Sequence, residues 1–463
     1  MPSPDPMIAS SGPFPFEIIQ GIVYYLTHDW IGPNGENPPL FGFRSWGPIR
    51  GAARYATVNK AWQVAVERET FAELHLDHGR LIEADAILNW VPRRHKYVRT
   101  IRLNVVLPRS DSAPPHVESA EERKQRNRAL QRTFEAFVST LSHWTPGPPV
   151  KLCLDAFALT NKGDREEELP SVRARRAMFH LPLELEDPER LLRHGPVNVI
   201  TEVDMERNRL IGKRISAAAV CTLVARLPAA KKVSINWWDI RGHSEARSAF
   251  AQALTNVTHA IDSFHIAGTY SQPNHQQPAR QPDRHEAKPD ELSQSLGMIS
   301  QRLRHLDLYD VIVSDDLFLQ HSLAPEVASP AHWARLENFY LYYPPIAPSG
   351  KWLFYPDPSV LDRQKAPTVV DPAIQRRYLA AARAALEMPL LVDMLLEAHL
   401  EGDGDWHKFW YHRNTKGNAA TAIWTSSSGF VPDDKVLAAW REVPRKHWET
   451  ELEVKILDDE YAA

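Results

Sequence analysis

The residues that could carry covalent chemistry gather at one point, Gly242-His243-Ser244-Glu245-Ala246. A serine flanked by small residues on a sharp strand-to-helix turn is the pattern of a nucleophile elbow. The segment stands in that context, after a strand-like run at 233–238 and before a helical run at 247–254. Two features weigh against acyl transfer. Ala246 holds the last place, where the elbow uses glycine to bring backbone close. No glycine-rich segment upstream supplies the oxyanion hole that such chemistry needs. The alternative is that Ser244 caps a helix beginning near Glu245. That reading is adopted, so no catalytic residue is expected and the chain is not expected to be an enzyme.

Metal and cofactor chemistry find no better footing. The 20 histidines are badly spaced for ligation. His75 and His78 lie near a strand end, His407 and His412 flank another strand, and His275 and His285 sit in a polar stretch. None forms H-E-x-x-H or a Cys/His quartet, so no metal site is expected. There is no Walker loop and no G-x-G-x-x-G, and no cofactor is expected. Gly402-Asp403-Gly404-Asp405 lacks the spaced carboxylates of a calcium loop.

Aromatic residues offer a different chemistry, that of an interface. Trp237-Trp238 and Tyr340-Tyr342-Tyr343 fall in strand-like runs. Successive strand residues point to opposite faces. One of each neighbouring pair therefore faces outward or lines a groove, where aromatics are favoured in protein contacts. The alternative is ordinary core on both sides of an α/β layer.

Composition bounds what must position these residues. At 463 residues the chain exceeds one ordinary core, and two or three domains are the prior. Hydrophobic residues at 43% and charged residues at 24% mark a globular chain. The net charge of −4 gives no basic footprint for nucleic acid and no polybasic membrane patch. Cys153 and Cys221 stand far apart, which excludes a disulfide framework and points to a reducing compartment, cytoplasmic or nuclear. Residues 1–12 lack the regions of a signal peptide. No apolar run reaches about 18 residues, so no membrane partner is expected.

Strand-like runs recur at 98–107, 150–159, 233–238 and 261–267, with helical runs at 118–144, 211–227 and 247–254. Residues 160–205 read as a surface loop with short elements, and 270–289 as a disordered insertion. LRHLDLYDVIV at 303–313 and LENFYLYY at 336–343 share the rhythm L-x-x-L/F-x-L. That is the beat of a leucine-rich-repeat strand, but the steps between beats are uneven. Beyond Pro345 come helices within 373–400 split by Pro389, a hairpin at 407–425, a helix at 433–441 and a strand at 452–457.

The remaining signal lies at 15–76. Ile18, Ile19, Ile22, Tyr25 and Leu26 recur at three- and four-residue steps behind Pro13 and Pro15. Tyr55, Val58, Trp62 and Val66 form a second stripe, and Phe71, Leu74 and Leu76 continue it with a changed period. The plain alternative is a helix hairpin that belongs to a core. Pro-x-Glu-Ile, then Val-x-x-x-Trp, then Glu-x-x-x-Phe-x-x-Leu resembles an F-box, most closely the F-box-like modules of filamentous-fungal proteins. AAWREVPRKHWETELEV near the end is similar to an uncharacterised domain of the same proteins. The sequence departs from the pattern in a long insertion at 27–51 and in Phe14 where leucine is usual.

The expected fold class is α/β. It comprises an F-box-like helical module at 13–80, an irregular leucine-rich-repeat-like array at 95–348 and an α+β cap at 365–460. The resemblance implies a protein-interaction adaptor. Pro15, Phe16, Ile18, Ile19, Ile22, Val58 and Trp62 would bind the Skp adaptor of an SCF ubiquitin ligase, and the body would present an unknown protein substrate. Trp62 is expected to anchor the two helices. The alternatives are a protein-interaction scaffold without a ligase, or a serine hydrolase using Ser244.

Overall fold

Alternation of apolar and polar residues builds the strands. In β2 (Thr100–Leu107), Ile101, Leu103, Val105 and Leu107 are buried while the residues between them are half-buried. The same alternation recurs in strand after strand. The computed structural model describes residues 15–27, 55–88, 92–108, 118–145, 147–158, 182–205, 215–239, 244–257, 260–270, 289–319, 333–356, 368–398, 400, 407–414 and 419–457.

The protein is a mixed α/β structure organised on one large, mostly parallel sheet of 12 strands. After β1 (Glu73–Leu76) and β2 come β3 (Val150–Ala158), β4 (Ile200–Met205), β5 (Lys232–Asp239), β6 (Ser263–Tyr270), β7 (His305–Tyr309) and β8 (Asn338–Tyr343). Each lies parallel beside its predecessor. A small antiparallel pair, β9 (Phe354–Pro356) and β10 (Thr368–Val370), stands outside the large sheet. The large sheet resumes with β11 (Asp393–Ala398), parallel to β8, then β12 (His407–Asn414), β13 (Ala419–Ser426) and β14 (Leu452–Leu457). Within this sheet β12 runs against both of its neighbours.

Helices connect the strands. The two amino-terminal helices are α1 (Phe16–Thr27) and α2 (Lys60–Thr70), followed by α3 (His78–Leu88) after β1. Then come α4 (Ala120–Leu141), α5 (Pro188–Leu192), α6 (Ala217–Val224), α7 (Ser244–Thr255) and α8 (Glu291–Ser300). The last two are α9 (Ala373–Ala385) and α10 (Asp434–Trp448). From α3 to α8 successive helices touch one another, as do α9 and α10. Together they cover one face of the sheet. Buried residues from every strand of the large sheet except β14's outer positions and from these helices form one continuous core. Local sequence fixes several helix starts. Ser119 and Glu122 make a capping box on α4. Asp187, Ser216, Asp290 and Asp433 cap α5, α6, α8 and α10.

Several expectations need correction. The loop expected over 160–205 contains strand β4 and helix α5. Glu202 and Asp204 alternate with buried Val203 and Met205, and these charges hide a short strand from a reading based on apolar runs. The helix expected over 211–227 is only Ala217–Val224. Ile215 instead bridges Leu183 as a β-partner, and 211–214 lie outside the described residues. The second half of 373–400, expected helical, is strand β11. Met394, Leu395 and Leu396 are buried together between β8 and β12, so tertiary pairing overrides helix propensity. The helix at 433–441 continues through Pro444 to Trp448 and ends at Glu449 in a left-handed cap. Most of the insertion at 27–51 and of the stretch at 270–289 lies outside the described residues.

Candidate interaction surfaces

The amino-terminal helices have a small core of their own. Ile19 and Val23 of α1 meet Ala65 and Val66 of α2, with Phe16, Tyr55 and Trp62 packed at its margin. The α-helical repeat divides the apolar residues of α1 between two faces. Ile19 is 2% exposed, whereas Ile18 is 50% and Ile22 38%. Val58, just ahead of the Asn59 cap of α2, is also exposed, as is Pro15. The expected single stripe is therefore two, one inward and one facing solvent. Trp62 is not a buried anchor, because it is half-buried and tilted against Tyr55 at 5.9 Å between ring centroids. The side chains of Tyr25 and Leu26 lie outside the described ones. Phe71 and Leu74, read with the helical stretch, pack on the main core, and β1 belongs to the large sheet. Glu67 in α2 accepts from Arg94 at 3.1 Å, and Arg94 also lies over the Phe71 ring, tying the helix to the body.

The second surface is the sheet face opposite the helices. Its residues stand in register across the strands, and it divides into two halves of different chemistry. Across β1 to β5 it is a ladder of ion pairs. Glu73 pairs with Arg102, and Lys151 with Asp204 at 2.6 Å and Glu202 at 3.3 Å. Lys232 reaches Glu202 at 3.7 Å. The hydrogen bond that Lys151 donates to Asp204 raises the Lys151 pKa against the effect of burial.

Across β7, β8 and β11 the face becomes aromatic. The middle row is Asp307, Tyr340 and Leu395, and the next is Tyr309, Tyr342 and Glu397. The row on the other side is His305, Asn338 and Asp393. The Tyr309 and Tyr342 rings lie tilted against each other, 5.3 Å between centroids. His265 Nδ1 lies 2.8 Å from Asp307 Oδ2, and His412 Nδ1 lies 2.7 Å from Asp393 Oδ1. Burial raises the pKa of Tyr340 and Tyr342, and nearby carboxylates add to the shift: Asp393 and Asp307 for Tyr340, Glu397 and Asp307 for Tyr342. The expected outward aromatics are thus Tyr340 and Tyr342, while Tyr343 is buried on the helix side. Trp237 likewise packs inward on Phe250 at 4.9 Å, and Trp238 is half-buried. Asp307 and Asp393 were not singled out by sequence, because a lone carboxylate in a strand carries no spacing signal.

Ser244 is exposed and is itself the first residue of α7, where a helix beginning near Glu245 was expected, and Gly242 and His243 lie outside the described residues. A different serine–histidine contact exists inside the protein. His407 Nδ1 is 2.9 Å from Ser426 Oγ, and its Nε2 is 2.7 Å from the Tyr378 hydroxyl. His407 is 1% exposed and walled by Phe354 and Phe430, so the group is a packed polar network closed to substrate. Among the described residues no group of three or more His, Cys, Asp and Glu could hold a metal ion. No helix among them is long and apolar enough to cross a membrane.

Residues 253–460 are similar to a family described as of unknown function, DUF6546. No curated protein is similar to the chain in sequence. The matched span runs from the end of α7 to past β14, so it contains the whole aromatic part of the open face and leaves out α1 and α2.

Proposed function

We propose that the chain is an F-box-type protein-interaction adaptor. Its amino-terminal helices dock the Skp adaptor of an SCF ubiquitin ligase, and its sheet presents a protein substrate. In this reading β1 to β8 are an irregular leucine-rich-repeat-like array, and β11 to β14 with α9 and α10 its α+β cap. Leu303, Leu306 and Leu308, and Leu336, Phe339 and Leu341, support it, because every place of both L-x-x-L/F-x-L beats is buried. The chain performs no chemistry itself, binds no cofactor and works in the cytoplasm or nucleus.

The observation that carries the reading is the exposed apolar set of Ile18, Ile22 and Val58 on a helix pair whose core is already filled by Ile19, Val23, Ala65 and Val66. A helix face laid against a partner groove is a common recognition mode. Ile18 and Ile22 are one turn apart and sit together. Purified protein should capture Skp, and Ile18→Asp with Ile22→Asp should abolish capture while the melting transition of the body is kept. Absence of capture by the wild-type protein, also after removal of residues 28–51, overturns the adaptor reading.

A scaffold without a ligase is the second reading. The family similarity favours it, since the matched span excludes the helix pair and includes the aromatic face. Binding of a protein partner without Skp capture would select it.

A further inference from the structure

The aromatic half of the open face has a charge pattern unlike that of its neighbour. Across β1 to β5, Arg102, Lys151 and Lys232 are matched in ion pairs by Glu73, Glu202 and Asp204. Across β7, β8, β11 and β12, Asp307, Asp393 and Glu397 are faced among the described residues by one permanently charged side chain, Lys408, at 3.9 Å from Glu397, and by the imidazoles of His265 on Asp307 and His412 on Asp393. The three carboxylates surround the tyrosines. Asp307 sits beside Tyr340, Glu397 beside Tyr342, and Asp393 one row away from Tyr340 on the next strand. Strands stand about 4.8 Å apart and rows about 6.6 Å, so one side chain laid on Tyr340 lies within reach of all three.

Asp307 adds an acceptor in need of a donor. Its Oδ2 meets His265, but Oδ1 has no hydrogen-bond partner among the described residues and is shielded from water. The side chain as a whole is 38% exposed, so an incoming cation can approach the carboxylate, though not its buried Oδ1 directly. An unpaired acceptor of this kind asks for an explanation in a folded protein.

We infer that the face formed by Asp307, Tyr309, Tyr340, Tyr342, Asp393 and Glu397 binds an arginine-bearing basic segment of the protein it recruits. A guanidinium is planar and permanently charged. It stacks on tyrosine and donates two parallel hydrogen bonds to a carboxylate. Tyr340 and Tyr342 provide the platform and Asp307 the acceptor, while Asp393 and Glu397 supply the negative field. The inference takes from the adaptor reading only that the occupant is a recruited protein; its chemistry is independent of Skp.

The test uses the full-length protein without Skp. A fluorescein-labelled Gly-Arg-Gly-Arg-Gly peptide is titrated at low salt and followed by anisotropy, beside the same peptide with citrulline in place of both arginines. Citrulline keeps the shape and removes the charge. The arginine peptide should bind at least tenfold tighter than its citrulline counterpart. Asp307→Asn should weaken it at least tenfold, and Glu397→Gln, at a half-exposed position, several-fold. Glu202→Gln, in the ion-paired half, should leave it unchanged. Failure of the arginine peptide to bind overturns the inference, as does equal binding of the citrulline peptide. Unchanged affinity in both Asp307→Asn and Glu397→Gln also overturns it. Protein that captures Skp but ignores the peptide loses this inference alone. Protein that binds the peptide but not Skp loses the ligase reading alone.

Discussion

Gly268 in β6 lies directly beneath the backbone of Asp310: a Cβ built on the glycine would stand 2.6 Å from the Asp310 carbonyl carbon and 2.8 Å from the Tyr309 carbonyl oxygen. Asp310 itself has φ 53°, a left-handed turn that ends β7 just after Tyr309. The chain leaving β7 folds back over the end of β6, and only a residue without a side chain admits it.

Gly268→Ala therefore forces backbone apart. Overpacking of this kind usually costs about 1–3 kcal/mol, and here the obstacle is main chain that cannot rotate away. Gly147→Ala is the control, because a Cβ there meets nothing within 4 Å. Urea midpoints should fall clearly for the first and barely move for the second. Equal midpoints would show that the turn after Tyr309 yields freely.

His407 should make the fold acid-sensitive. Burial lowers its pKa from 6.5 to about 3. A depressed folded pKa means that the unfolded chain takes up the proton first. The stabilisation is complete above pH 6.5 and is lost as pH falls from there towards about 3, at roughly 1.4 kcal/mol per pH unit. His407→Gln should be less stable at pH 7.5, yet show a shallower loss between pH 6.5 and pH 4.5. Parallel stability curves for the two proteins would exclude His407 as a source of acid sensitivity.

Within the amino-terminal pair, the burden falls on Ile19 rather than Trp62. Removing a buried isoleucine typically costs about 2–5 kcal/mol. Trp62 at the margin keeps part of its surface in water in either state. Ile19→Ala should thus raise amide hydrogen exchange throughout α1 and α2 more than Trp62→Ala does, and Val58→Ala should hardly alter it. A larger effect from Trp62→Ala would put the weight back on the tryptophan.

How much of this could be read from the chain depended on how each residue announced itself. The β2, β5, β7 and β8 runs were legible because buried aliphatic and aromatic residues fall at every second position. The β12–β13 hairpin was legible from its turn residues. Strand β4 was not, since two of its six residues, Glu202 and Asp204, are charged for the open face. Strand β11 was not, since Met394-Leu395-Leu396-Glu397 has the composition of a helix and becomes a strand only between two others. For the sites, the sequence placed Ile18, Ile19 and Ile22 together, and helical rotation then sent Ile19 inward and its neighbours out. The Tyr340–Tyr342 platform was visible as an aromatic run. Its carboxylates were not, because Asp307, Asp393 and Glu397 come from strands up to 90 residues apart and meet only through sheet register.

In the large sheet, spatial order follows chain order from β1 through β8, then β11 through β14. Each strand bonds to those just before and after it, so no strand has to wait for a distant part of the chain. Forming the next pair closes one loop at a time, and loop length adds only logarithmically to that cost. Such a chain can zip outward from whichever pair of strands meets first. Under a pulling force applied at β1 and β14, the same order makes it come apart like a stack of cards, one strand and its helix per step.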